Sequence, residues 1–211
     1  MNTLTESPQA VSIGGEEIQL EHLGGHGVMP NRKKQLQHVL RILKTSSEAS
    51  DWAILPGLLK GLHSMGKDPP PRVRARIVRL AALRGQFGVI LVALGKVRET
   101  GFTLKDPLTL GAVVWGLRQV AERDNWNEEG VARAIKDANA VATLLESELH
   151  GSGKKLRVND PRTRPSVLGV YLELAAVYAW RFKDGQDVDG KVEAFAERLM
   201  SNVSDEQMTV R

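Results

Sequence analysis

His22 and His26 stand four residues apart, the spacing at which one helical face offers two imidazoles to a metal ion. The intervening Leu23-Gly24-Gly25 is a poor helix and no carboxylate-bearing zinc motif surrounds the pair, so no metal site is expected. Gly151-Ser152-Gly153-Lys154 ends like a phosphate loop, but the earlier glycine, the Ser or Thr after the lysine and a preceding strand are missing; a turn is the expectation. The chain has no cysteine, which removes disulfides, Cys-ligated zinc, iron–sulfur clusters and thiol catalysis together. Asp124, Glu128 and Glu129 fit the start of a helix, where the dipole favours acids. With no carboxylate pair and no nucleophile–base set, the sequence offers no catalytic residue, no cofactor and no small-molecule substrate.

What the chain does concentrate is positive charge. Arg72, Arg74, Arg76, Arg79 and Arg84 fall in a stretch whose only acid before Gly101 is Glu99. At 3.6 residues per turn Arg72, Arg76 and Arg79 share one face, beside the apolar face of Val73, Ile77 and Leu80. Like charges at this spacing repel, so such a face is either solvated or meets phosphate or carboxylate. Arg41 and Lys44, with Arg32, Lys33 and Lys34 before them, offer a second basic surface. Together Arg41, Lys44, Arg72, Arg76 and Arg79 are the candidate nucleic-acid-binding residues, acting on the backbone through counterion release. Phe87 and Phe102 sit at helix–turn positions, where packing is expected rather than base stacking.

The elements that must carry these residues are helices. Apolar residues recur at helical spacing from Asn31 onward, as in Leu36, Val39, Leu40 and Leu43, and β-type alternation is nowhere sustained. The expected helices are 32–46, 51–65, 71–83, 86–99, 107–122, 128–148, 165–182 and 190–201, with Pro56 able to kink the second. Residues 1–31, rich in glycine, read as a flexible arm, 32–149 as a helical-repeat domain and 150–165 as a basic connector. Residues 166–201 then form a C-terminal helical pair and 202–211 a polar tail. A length of 211 residues, 42% of them hydrophobic, is enough for a core, and 29 basic against 25 acidic residues leave a net charge of +4. No apolar run approaches the roughly 20 residues of a membrane-spanning helix, so no membrane partner is expected. Trp115, Tyr171, Tyr178 and Trp180 lie on apolar helices; Tyr171 and Tyr178, seven apart, share a face suited to docking a protein.

A shift of 35 residues aligns Arg41 with Arg76, Ile42 with Ile77, Lys44 with Arg79, Leu59 with Leu94 and Gly66 with Gly101. In the better half, a first helix ends at Leu83-Arg84-Gly85-Gln86-Phe87, a second carries the small Ala93, and Arg98-Glu99-Thr100-Gly101-Phe102 closes the hairpin. This unit resembles a pentatricopeptide repeat, best over residues 71–105. The resemblance implies an all-α, right-handed solenoid of antiparallel hairpins, about eight helices in all, because each hairpin exposes an apolar edge that only the next can cover. It also implies a mitochondrial, non-catalytic protein associated with RNA maturation, translation or the ribosome. The acidic N-terminus, with Glu6, Glu16, Glu17 and Glu21 and no Arg or Lys before Asn31, has no transit-peptide character, which keeps a cytoplasmic location as the alternative. The positions that select bases in the family fall on Leu40 with Pro70, Ala75 with Lys105, and Leu110 with Ala140. None is the Asn, Ser or Thr with Asp or Asn that reads a base edge in the family, so the resemblance points to RNA or ribonucleoprotein held by its backbone. The competing reading is a protein–protein scaffold that does not touch RNA.

Overall fold

The computed structural model describes residues 9–13, 16–20, 32–46, 48–153 and 160–209, with side chains described only between 37 and 202. A hairpin of β1 (Gln9–Ile13) and β2 (Glu16–Leu20) comes first, antiparallel, with Ile13 opposite Glu16. It lies within the segment read from sequence as a flexible arm; Gly14-Gly15 between two short apolar-polar runs is a hairpin signal that a search for helical periodicity passes over.

The helices are α1 (Arg32–Thr45), α2 (Ala49–Ala53), α3 (Leu55–Ser64), α4 (Pro71–Leu83), α5 (Phe87–Gly95), α6 (Val97–Thr100), α7 (Pro107–Arg123), α8 (Glu128–Leu145), α9 (Pro165–Phe182) and α10 (Lys191–Thr209). Prolines open α4, α7 and α9, where a missing N–H costs nothing. Asp106 caps α7 by accepting from Leu108 N and Thr109 N, and Asn127 caps α8 by accepting from Gly130 N at 2.7 Å. The cap of α8 is therefore Asn127 and not Asp124, which instead pairs with Arg133; Glu128 and Glu129 occupy the first turn. The helix expected over 51–65 divides at Ile54 into α2 and α3, since Pro56 has no N–H to continue the ladder. The helix expected over 86–99 divides likewise at Lys96 after Gly95, and α10 runs on to Thr209, beyond the expected end at 201.

The turns repeat one device. After α4 the N–H of Gln86 reaches Ala81 O at 2.8 Å and that of Gly85 reaches Ala82 O, with Gly85 at φ +73°. The same paired bonds close α3 around Gly66 (φ +64°) and α7 around Asn125 (φ +52°), so the left-handed position is glycine twice and asparagine once.

Successive units meet at like ends. α4 packs on α1 and α7, and α7 on α9. Arg84 at the end of α4 donates to Lys44 O at the end of α1, and the Arg123 guanidinium at the end of α7 lies on Gly85. Arg181 near the end of α9 reaches Trp126 O just past α7. Along α1, α4, α7 and α9, C-terminal ends thus lie beside C-terminal ends. Among the second helices, α3 packs on α5 and α6, and α5 on α8. The core lies between the two rows, with Trp52, Leu59, Ile90, Leu94, Phe102 and Leu117 buried. At the close approach of α5 and α7, a Cβ on Gly116 would stand 2.5 Å from the Phe87 ring.

Two buried polar groups tie the units. His150, beyond α8, donates from Nε2 to Leu94 O (3.1 Å) while its Nδ1 accepts from Leu104 N (3.3 Å), a pattern only the neutral ring can make. Asp160, the cap of a 3₁₀ turn (Pro161–Thr163), is buried and accepts from Arg162 N, Nε and Nη2 and from the Ser152 hydroxyl. No helix among the described residues is long and apolar enough to cross a membrane.

Candidate nucleic-acid interface

α4 begins without an acid in its first turn, so Arg72 and Arg74 stand where the helix dipole is already positive. Ala75, Ile77, Val78, Ala81 and Ala82 turn inward and are buried. The remaining strip, Arg72, Arg76, Arg79 and Leu83, is exposed along one face. None of these three arginines has a hydrogen bond or ion pair among the described residues.

The other arginines in the same part of the molecule are engaged. Arg74 is half-buried and donates to Gly101 O at 3.3 Å, and Arg84 reaches Lys44 O. Arg118 on α7 is held by Glu173 of α9 at 3.0 Å and by Glu122 at 3.1 Å, with its guanidinium 5.5 Å over the Trp126 ring. These carboxylates raise the Arg118 pKa, first through the Glu173 hydrogen bond. The exposed face of the first helices therefore changes character along the row: unpaired cations on α4, neutralised charge where α7 meets α9.

α1 lies against α4 and carries Arg41 and Lys44, both exposed, with Arg41 bonded to His38 Nδ1 at 3.1 Å. The structure thus sets the five candidate residues on two neighbouring helices. The side chains of Arg32, Lys33 and Lys34 lie outside the described residues. Phe87 and Phe102 are 2% and 0% exposed, which leaves no ring there for a base to stack on. Leu40, Ala75 and Leu110, the leading residues of the base-selecting pairs, are also buried.

The basic connector is only partly on view. Arg162 is committed to Asp160, whose carboxyl it holds well below the usual range, while Lys154, Lys155 and Arg157 lie outside the described residues, as do His22 and His26. No group of three or more metal-ligating side chains is gathered among the described residues. Tyr171 and Tyr178 do not stand out as an exposed stripe. Both line one groove between α8, α9 and α10, and the Tyr171 hydroxyl is buried. Sequence reasoning missed the Glu173–Arg118–Glu122 cluster that ends the cationic face. Its signal was present, because Glu173 is the only acid in the largely apolar α9.

The comparisons with known proteins agree on one family. The family model of mitochondrial ribosomal protein mS27 (Mrp13) matches residues 1–210. Small ribosomal subunit protein mS27 of Neurospora crassa is 27% identical over 184 residues, covering 84% of this chain and 46% of the relative. The chain thus spans about half the length of the curated relative it matches. It belongs to the mitochondrial ribosomal protein mS27 family, a family of structural rather than catalytic proteins, and its compartment is the mitochondrion.

Proposed function

We propose that the chain is a component of the mitochondrial small ribosomal subunit that holds ribosomal RNA by its phosphates through Arg41, Lys44, Arg72, Arg76 and Arg79. The observation that carries this reading is the contrast on the first helices. Arg74, Arg84 and Arg118 are engaged by carbonyls and carboxylates, while Arg72, Arg76 and Arg79 are exposed with no partner among the described residues. A row of like charges at i, i+4 and i+7, beginning in the first turn of a helix, opposes the stability of that helix by a few tenths of a kcal/mol per pair. Such a row is favoured where an anion supplies the missing partner. The buried phenylalanines argue for contact with the backbone of folded RNA over the reading of bases.

The scaffold is read as a pentatricopeptide-like, right-handed solenoid. In support, the C-terminal ends of α1, α4, α7 and α9 lie beside one another, Gly66 and Gly101 both take the left-handed conformation, and Gly85 makes the tight turn between α4 and α5. The test is retention of transcribed small-subunit ribosomal RNA by the purified chain across a salt series. Arg76→Glu with Arg79→Glu is expected to weaken binding and to lower the slope of log affinity against log salt by about two. Unchanged binding would leave the chain as a protein–protein scaffold.

A further inference from the structure

Neither α1 nor α4 contains an Asp or Glu, so no carboxylate within either helix neutralises its outer cations. The outer strips of the two helices correspond under the 35-residue shift: Gln37, Arg41 and Lys44 on α1, and Arg72, Arg76 and Arg79 on α4, each of them exposed. Arg84 of α4, donating to Lys44 O, sets the C-terminal ends of the two helices side by side. The strips therefore form two rows on one surface, separated by the roughly 8–10 Å of packed helices. Along each row the helical rise places neighbouring charges about 4.5–6 Å apart. Arg41 gives one N–H to His38 Nδ1 and keeps the rest of its donors.

The charge runs along these helices and does not continue across the units. On α7 the exposed Leu108 and Gly111 carry none, Arg118 is held by Glu173 and Glu122, and Arg123 at the far end is laid on Gly85. A single strand threaded over successive hairpins would need cations on each of them. It would also need rings for its bases, and neither α1 nor α4 carries Phe, Tyr or Trp, while the half-buried His38 is taken by Arg41.

We propose that α1 and α4 seat a double-helical segment of RNA, with one row of cations against the phosphates of each strand. A duplex keeps its bases stacked inside and presents two backbones across the wide, shallow minor groove of the A form. Two short cationic rows with no aromatic platform match that surface, whereas a single strand offers one backbone and bare bases. This inference rests on the reading of the chain as an RNA-holding component of the small subunit, and it names the form of the RNA.

The experiment measures binding of the purified full chain, across a salt series, to a stem of about 16 base pairs from small-subunit ribosomal RNA, long enough to present two successive minor grooves, and to each of its strands alone. The stem is expected to bind several-fold tighter than either strand at the same salt. Arg41→Gln with Lys44→Gln, and Arg76→Gln with Arg79→Gln, are each expected to lower the slope of log affinity against log salt on the stem by about two, and all four together by about four. The changed side chains are exposed, and the variants are compared well below their thermal midpoints. Equal or tighter binding of a single strand, or a slope on the stem that responds to one row alone, overturns the inference while the proposed contact with RNA stands. Retention of neither form by the parent chain removes the reading beneath it and leaves a protein–protein scaffold.

Discussion

His150 joins α5, the α6–α7 connection and the end of α8 through two bonds that require a neutral ring. Burial, and then the charge of Lys105, lower its pKa below the ordinary 6.5, against the opposing pull of the Leu94 carbonyl. The unfolded ring therefore takes up a proton first as pH falls, so this contribution to stability is complete above about 6.5 and declines below it. Urea unfolding at about pH 7.5 and about pH 5.5 should show that decline, and His150→Gln should flatten it while costing roughly 1–3 kcal/mol at the higher pH. Asp160 titrates with the opposite origin. The Arg162 guanidinium depresses its pKa, so its contribution is held at neutral pH and is lost only as pH falls below the ordinary carboxylate value of 3.8. Arg162→Ala removes the guanidinium from that buried carboxylate and leaves its charge uncompensated, and a loss of roughly 3 kcal/mol is expected in the same assay. Neither role was legible in the sequence. His150 adjoins a glycine-rich turn, and only tertiary contact with residues more than forty positions away gives it a task.

At the scale of elements the glycines divide by what surrounds them. Gly85 sits at φ +73° with the Arg123 guanidinium laid on it, so Gly85→Ala adds both backbone strain and a displaced arginine. A loss of about 1–2 kcal/mol is expected from thermal unfolding. Gly61, in the interior of α3, has nothing within 4 Å of an added Cβ and an ordinary helical backbone; Gly61→Ala should gain roughly 0.5–1 kcal/mol. The spans of α4 and α9 follow from sequence because a proline opens each and the apolar period is unbroken. Breaks at Ile54 and Lys96 were harder to place, since a local backbone break leaves the apolar periodicity on either side intact.

For the whole molecule, stability is unevenly spread. α7 buries eight of its residues, whereas α10 buries none of its residues up to 202. Hydrogen exchange should therefore release α10 amides well before those of α7, through local opening rather than global unfolding. By itself the sequence determined that the chain is helical from residue 32 onward and that α4 carries one cationic face, because periodicity and charge spacing are local properties of the chain. Which arginines stay unpaired was decided only by tertiary structure: Arg74, Arg84 and Arg118 look like their neighbours in sequence, and it is the approach of Gly101, Lys44 and Glu173 that removes them from the surface's free charge. Charge pairing depends on distance in space, and distance in space is set by how the units stack.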